Sequence, residues 1–332
     1  MFAFYTCCLF ALFQLCSCQE LPGGLGTLFG AIHGFFQLRH LISSVNEQEA
    51  MGRVGRRSYP LRYPRIDHGI TSEDMESLLQ HAFLAMCNVD QVQTGRCFCR
   101  DKFSQARIFT NSTLEAQAAV AVDARNQLIV VSYRMSVGER NWETNYRTRL
   151  VRHPSLQPQH KVHQGHLEYF QSLHPRMEPF VLALLKNPKY RNYKLHLTGY
   201  SLGGSAAAIA LPVWTRAIRN HRLINRAQLY IYAGTRPGNV EFARHLESMR
   251  VPILRYAKRG DVIPHFPDQN LGYSQVGQEL YDDNLLPIFK RDLIQCNRSL
   301  VEDRDCSLAD SFFLATHHMT PFQKPLPLLP FC

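Results

Sequence analysis

The sequence predicts an α/β fold with a central, mostly parallel sheet that carries helices on both faces. Residues 128–133 form a continuous apolar run rich in β-branched residues, which is typical of a strand buried on both sides. Helix-like stretches separate this run from similar ones, and such alternation indicates parallel pairing through crossovers. The 332 residues are enough for one domain of this kind with a full core.

The predicted elements follow in chain order. A first helix is expected at residues 73–86, and a long helical stretch at 165–186 is interrupted by Pro175 and Pro179. Beyond residues 128–133, strands are predicted at 195–198, 229–233 and 253–257.

The amino-terminal region is predicted to be a leader that is removed from the mature chain. Residues 1–18 are apolar but too short for a membrane span, so they predict a secretory signal cut after Cys18, although no Lys or Arg precedes the apolar run. Residues 19–57 end in Arg56-Arg57 and place apolar residues at helical spacing, which predicts a prosegment and therefore a zymogen. A flexible amino terminus is the alternative. We expect a secreted, extracellular chain whose main domain spans residues 58–332.

The net charge restricts the classes of molecule that the chain could bind. The net charge is +10, from 37 basic and 27 acidic residues, and the basic residues are scattered along the sequence. A solvated surface is the expectation, with attraction to anionic lipid as the functional alternative, and no motif supports nucleic-acid binding.

Six cysteines remain after residue 18, which predicts disulfides with 15 possible connectivities. Asn111 and Asn297 begin glycosylation sequons, which matter in a secreted chain.

The segment around Ser201 is the strongest functional signal. Gly199-x-Ser201-x-Gly203 follows a predicted strand and precedes a run of small, helix-forming residues. A strand, a sharp turn and a helix together expose a serine hydroxyl on strained backbone, beside a helix amino terminus that favours negative charge. This context predicts a nucleophile that attacks a carbonyl, whereas the tripeptide pattern alone would fit an ordinary turn.

A serine nucleophile needs a base and an orienting carboxylate, which follow it in the order Ser, Asp, His in the α/β-hydrolase arrangement. Asp261 comes just after the strand at 253–257, on the edge where such sheets bind ligands, so it is the best carboxylate. Asp268 and Asp283 lie in loops that no strand positions. His265 is too close to Asp261 in sequence, and the residues alone do not choose between His317 and His318.

Two donors are needed to stabilise an oxyanion. The backbone amide of Leu202, next to the nucleophile, is one candidate. Ser136, in the segment after the strand at 128–133, offers an amide and a hydroxyl as the second. Trp142 follows in the same polar segment, where a partly buried anchor is the plain alternative to a functional role.

Seven motifs occur in a recognisable order, from Tyr133-Arg-Met-Ser136 through Arg140-Asn141-Trp142, Val162-His-Gln-Gly165, Gly199-Tyr-Ser-Leu-Gly-Gly204, Gly234-Thr-Arg-Pro-Gly-Asn239 and Gly260-Asp-Val-Ile-Pro264 to His318-Met-Thr-Pro-Phe322. With them the chain resembles the secreted class 3 lipases of filamentous fungi, from about residue 74 to residue 332. Three features depart from the family pattern. Met135 stands where the family has glycine, Tyr200 stands where it has histidine beside the nucleophile, and Cys97-Phe-Cys99 is closer than the family's usual cysteine pair.

The resemblance implies an α/β-hydrolase with a helical lid over residues that include Arg140, Asn141 and Trp142. It selects His318 over His317 as the base and implies triacylglycerol hydrolysis at a lipid–water interface, with only peripheral contact to lipid. No cofactor or metal is expected, and we expect a monomer. It further implies the disulfides Cys296–Cys306 and Cys87–Cys332, while a Cys97–Cys99 bridge would close a small, strained ring.

Two alternatives stay open. The first is a phospholipase or a feruloyl-type esterase with the same machinery. The second is a catalytically weak lipid-binding relative, because Met135 changes the backbone beside the predicted oxyanion donor Ser136.

Overall fold

An eight-stranded sheet forms the centre of the molecule. The computed structural model describes residues 72–97, 102–224, 226–284, 293–297, 302–310 and 315–323. The strands in chain order are β1 (Ser104–Asn111), β2 (Ala116–Asp123), β3 (Leu128–Tyr133), β4 (Leu150–Arg152), β5 (Lys161–His163), β6 (Lys194–Tyr200), β7 (Ala227–Tyr232), β8 (Gly238–Asn239), β9 (Ile253–Lys258), β10 (Tyr273–Ser274), β11 (Gln278–Asp282) and β12 (Ile294–Gln295). The large sheet has the order β1-β2-β3-β6-β7-β9-β11-β12.

The pairing explains the strand composition. Strands β3, β6, β7, β9 and β11 are parallel, and β1, β2 and β12 add antiparallel edges. All six residues of β3 and of β7 are buried, because helices cover both faces of a parallel sheet. The predicted fold class is confirmed. A second, antiparallel sheet of four short strands, in the order β10-β8-β5-β4, lies beside it.

The helices in chain order are α1 (Ser72–Phe83), α2 (Val89–Thr94), α3 (Glu139–Tyr146), α4 (Gln164–Lys186), α5 (Leu202–Asn220), α6 (Val240–Ser248) and α7 (Ala315–His318). Helix α4 continues through Pro175 and Pro179, where the sequence predicted interruptions. Its buried apolar side packs on the core cluster that also holds most of α5, and that packing outweighs the lost backbone hydrogen bonds. None of the described helices is long and apolar enough to cross a bilayer.

Small residues set the distance between α5 and the sheet. Residues Ala206, Ala207, Ala208 and Ala210 on α5 are fully buried. Because alanine adds only a methyl group, the helix axis lies close to the strands, and the turn before the helix is drawn tight.

The disulfides differ in part from those that the resemblance implied. Cys296 pairs with Cys306, as expected. Cys87 pairs with Cys97, so the expected Cys87–Cys332 and Cys97–Cys99 pairings are wrong. The reason is local: between the two cysteines lies the short helix α2, which is capped at both ends and folds residues 87–97 back on themselves. Cys99 and Cys332, the signal at 1–18 and the prosegment at 19–57 lie outside the described residues.

Candidate active site

Ser201 lies on the turn between β6 and α5. Its backbone is at φ 55° and ψ −126°, a conformation that is strained for a residue with a side chain. A Cβ on Gly199 would lie 2.2 Å from the carbonyl carbon of Gly203, and one on Gly203 would lie 2.0 Å from the backbone oxygen of Tyr133. Only glycine fits at both positions, so the sequence motif follows directly from the close approach of strand and helix.

Asp261 lies three residues after the end of β9 and is fully buried. The backbone N–H of Ile263 donates to its Oδ1 at 2.9 Å, and His318 Nδ1 lies 2.9 Å from its Oδ2. Both carboxylate oxygens therefore have partners. The carboxylate can fix the imidazole orientation and leave Nε2 as the ring nitrogen for chemistry.

The two adjacent histidines are separated by their contacts. His318 is buried against Asp261, whereas the Nδ1 of the half-buried His317 contacts the backbone oxygen of Arg259. The structure thus brings His318, and not His317, to the carboxylate selected from the sequence. His265, the third candidate, is half-buried, and desolvation of its ring lowers its pKa to about 4.

Tyr200 connects the nucleophile turn to the histidine. Its hydroxyl donates to the backbone oxygen of His318, and the two ring centroids are 5.1 Å apart. Burial, with the nearby charge of Asp261, raises the Tyr200 pKa well above its usual value, so the hydroxyl stays a neutral donor. Tyr200 is adjacent to Ser201 in sequence, and the contact therefore ties the candidate base to the turn that carries the candidate nucleophile.

The segment that carries His318 is held on β9. Lys258 Nζ donates to the backbone oxygen of Thr320 at 2.6 Å and to its hydroxyl at 2.8 Å. Phe322 stacks on Tyr256 with centroids 4.3 Å apart, and its N–H donates to the tyrosine hydroxyl. Neither anchor was predicted from the sequence. The available signal was the presence of Lys258 and Tyr256, together with Arg255, in a buried strand.

The loop after Asp261 is held by a buried ion pair. Arg236 Nη2 lies 2.7 Å from Glu302 Oε2, and Arg236 Nη1 donates to the backbone oxygen of Pro267 at 2.8 Å. Burial of Glu302 would raise its pKa, but Arg236 outweighs burial and lowers the pKa to about 2. The charged pair therefore persists across the working pH range and restrains the loop.

Ser136, the candidate oxyanion donor, lies in the segment between β3 and α3 and is buried. The side-chain amide of Asn145 donates to its hydroxyl at 3.0 Å. The same side chain contacts His166 Nε2 at 3.2 Å, and His166 stacks on His163 with centroids 3.7 Å apart. Burial lowers the His163 pKa to about 3 and the His166 pKa well below its usual value, so both rings are neutral and stack without repulsion.

Leu202 begins α5 directly after the nucleophile turn and is fully buried. Its place at the helix amino terminus is where an anion is favoured. Ser136 follows β3, which pairs with β6 in parallel, so both candidate oxyanion residues lie at the carboxyl edge of the same two strands.

Helix α3, the expected lid, is attached at its amino end to the turn between β1 and β2. Arg140 Nη1 donates to the backbone oxygen of Thr113, and Asn141 Nδ2 donates to that of Leu114, both at 2.9 Å. Trp142 is half-buried, and Tyr146 at the other end of the helix is 38% exposed. Two of the three expected lid residues thus anchor the helix, and the third, Trp142, is partly covered.

One group of potential metal ligands occurs in the described ranges, formed by Glu279, Cys296 and Cys306. The two cysteines are joined as a disulfide and offer no thiolate. Glu279 already pairs with Arg255 at 2.8 Å, so this group is a structural cluster.

The strained serine on a strand–helix turn, beside a buried Asp–His pair at the carboxyl edge of a mostly parallel sheet, defines an α/β-hydrolase. Comparison with known proteins agrees, since the family model "Lipase (class 3)" matches residues 130–271. The chain is therefore similar to the class 3 lipases over this central part of its length.

Two curated relatives and one solved structure are representative. A lipase of Rhizomucor miehei is 28% identical over 75% of this chain and 70% of its own length. A secreted mono- and diacylglycerol lipase 1 of Fusarium solani is 29% identical over 64% and 65% respectively. The solved structure, described as a triacylglycerol lipase with a serine protease triad as its catalytic centre, superposes with a TM-score of 0.66 at 24% identity, covering 77% of this chain and 96% of that one. The chain thus spans about two thirds of the curated relatives.

Proposed function

We propose that this chain is a secreted serine carboxylic ester hydrolase that hydrolyses triacylglycerol at lipid–water interfaces. The observation that carries the proposal is the 2.9 Å contact between His318 Nδ1 and Asp261 Oδ2, held by Tyr200 against the turn of Ser201. Relatives named as lipases support the substrate class.

The mechanism follows from these positions. Ser201 Oγ attacks the ester carbonyl carbon while His318 Nε2 accepts the hydroxyl proton. The carbonyl oxygen becomes an oxyanion, which receives hydrogen bonds from the Leu202 amide and from Ser136. The carbonyl re-forms as the bond to the alcohol breaks, and His318 gives its proton to that alcohol. Water then attacks the acyl-enzyme by the same route, with Asp261 orienting the imidazole throughout.

The triad assignment is tested by single substitutions. Ser201→Ala, Asp261→Asn and His318→Ala are each expected to lower kcat by at least ~10³-fold on a soluble ester, in line with other triads. His317→Ala is the matched control, and it should retain most activity because its Nδ1 contacts the backbone oxygen of Arg259 and not Asp261. A dead His317→Ala together with an active His318→Ala would reverse the assignment.

We infer that α3 covers the acyl site as a lid and that Trp142 seals it. The helix is anchored at its amino end through Arg140 and Asn141, so opening would have to break the contacts that Asn145 makes near its other end. Burial of an indole against an apolar groove is worth roughly 2 kcal/mol. Trp142→Ala should therefore reduce hydrolysis of emulsified long-chain triacylglycerol more than hydrolysis of a short soluble ester. Equal losses on both substrates would leave Trp142 as a packing residue.

The acyl substrate is the finer part of the proposal. A relative named for mono- and diacylglycerol lipase activity favours partial glycerides as a second candidate. A rate profile across triacylglycerol, diacylglycerol, phospholipid and feruloyl esters separates these substrates. A phospholipid or feruloyl ester as the best substrate would overturn the triacylglycerol assignment.

We further propose that residues 19–57 are a prosegment that covers the acyl groove until cleavage near Arg57. The apolar stripe within these residues needs a partner surface, and a lipase groove supplies one. Residues 19–332 and 58–332 should be produced side by side. The longer form should hydrolyse emulsions more slowly, and equal rates would reduce the segment to a leader.

A further inference from the structure

The acidic residues are absent from one long part of the sequence. Residues 179–240 contain nine Lys and Arg and no Asp or Glu, which accounts for nearly all of the chain's net charge of +10. The sequence as a whole suggested scattered basic residues. The charge is in fact concentrated in a single stretch, which includes the end of α4, strands β6 and β7, and the whole of α5.

The fold gathers the basic side chains of this stretch at one end of the molecule. Helices α4 and α5 both end there, and strands β6 and β7 both begin there. Six exposed residues define what we call the basic end: Lys186, Lys189, Lys194, Arg219, Arg222 and Arg226. Ser201 lies at the opposite, carboxyl edge of β6, so the basic end faces away from the candidate active site.

Neighbouring charges at the basic end do not alternate in sign. Leu195 is the register partner of Ala227, so Lys194 and Arg226 precede paired residues on neighbouring strands, whose backbones lie about 4.8 Å apart. Like charges in this arrangement destabilise a sheet. The acids nearest along the chain are engaged elsewhere, since Glu178 pairs with His174. Lys186 and Arg219 complement the ends of their helices, and Arg222 directly follows the end of α5, but Lys194 and Arg226 lie at the start of strands, where no helix end needs their charge.

One apolar residue lies within this charged surface. Ile224, between Arg222 and Arg226, is 63% exposed, more than any other large apolar residue on the described surface. An apolar side chain framed by cations offers contact to the carbon skeleton of a polyanion as well as to its charges.

We propose that the basic end binds a linear sulfated polysaccharide of the extracellular space. The inference rests on the extracellular location proposed above. A polyanion matches the concentrated positive charge. An anionic bilayer would match it too, but docking a bilayer at this end would turn Ser201 and α3 away from the lipid. A polysaccharide bound here holds the enzyme in place while the opposite end stays free for its substrate.

The test uses the secreted protein and immobilised heparin as the sulfated polysaccharide, in about 0.15 M NaCl where screening is physiological. The triple variant Lys194→Ser, Arg222→Ser, Arg226→Ser should bind heparin about tenfold or more weakly than the unmodified protein. The matched control is Arg152→Ser, Lys161→Ser, Arg244→Ser, which removes the same charge from exposed positions on the small sheet and α6. It should bind heparin within about threefold of the unmodified protein.

Three results would overturn the proposal. The first is that heparin does not retain the unmodified protein, and the second is that both triple variants lose heparin binding equally. The third is that the triple variant at the basic end loses binding only to vesicles of phosphatidylcholine and phosphatidylserine, which would assign the surface to anionic membranes. Hydrolysis of a short soluble ester should be unchanged in both variants. Because heparin binding is measured without turnover, a failed binding test leaves the proposed hydrolase untouched, and an inactive enzyme that binds heparin leaves this inference standing.

Discussion

Replacement of Tyr200 by phenylalanine tests how the candidate base is held. The Tyr200 hydroxyl donates to the backbone oxygen of His318 in a fully buried setting. Tyr200→Phe keeps the ring against the imidazole and removes only that donor. A buried hydrogen bond of this type contributes about 1 kcal/mol net. If that free energy holds the imidazole in place, its loss lowers kcat about 5-fold, since 1.36 kcal/mol corresponds to tenfold.

The assay is steady-state hydrolysis of a soluble nitrophenyl ester together with urea unfolding. We expect kcat to fall and KM to stay nearly constant, because Tyr200 is buried below the turn and does not line the acyl site. The free energy of unfolding should fall by about 1 kcal/mol.

Tyr232→Phe is the matched control. Tyr232 is also fully buried, and its hydroxyl donates to the backbone oxygen of Met75 at 2.8 Å, on the side of the sheet covered by α1. This variant should lose similar stability and keep kcat within about twofold. Unchanged kcat in Tyr200→Phe, or an equal loss of kcat in Tyr232→Phe, would refute a positioning role for Tyr200.

Three further outcomes are expected. Gly203→Ala should abolish soluble expression or activity, because its Cβ would lie 2.0 Å from a backbone oxygen of β3; full activity would contradict the close approach. Cys87→Ser with Cys97→Ser should lower unfolding free energy by about 2–3 kcal/mol, as expected for a 10-residue separation, and an unchanged urea midpoint would argue against the pairing. Burial lowers the pKa of His153, His163 and His265 to about 3 or 4. As pH falls below 6.5, these histidines take up protons in the unfolded chain and stay neutral in the folded chain, so the free energy of unfolding should drop by about 3–4 kcal/mol between pH 6 and pH 5. An unchanged urea midpoint across that range would refute neutral burial of the three rings.

Local features of the site could be predicted from the sequence. The turn at Ser201 depends on residues that are contiguous, and its glycines leave a readable pattern because a Cβ at Gly199 or Gly203 would meet backbone. The position of Asp261 followed from the strand before it. The choice of His318 needed a resemblance, because the contact with Asp261 joins residues 57 apart.

Other features depend on tertiary structure and could not be predicted from neighbouring residues in the sequence. Residues 116–123 are rich in alanine, which favours a helix. They nevertheless form the buried strand β2, because they pair with β1 on one edge and with β3 on the other. The wrong pairing of Cys87 came from the family pattern, whereas the capped turn of α2 decides it in this chain. The basic end was missed because its residues are spread over 41 positions of sequence, from Lys186 to Arg226, and meet only when parallel strands align.

The attachment of residues 315–323 to β9 has a consequence for biosynthesis. Their anchors, Tyr200 and Lys258, belong to strands that are translated 118 and 62 residues earlier than the groups they hold. A chain that grows from its amino end can finish β6, α5 and β9, and display the serine, before the histidine emerges. With the roles proposed above, the serine has no base during that interval and cannot attack an ester. Hydrolysis would therefore begin only once residues 315–323 have docked on β9.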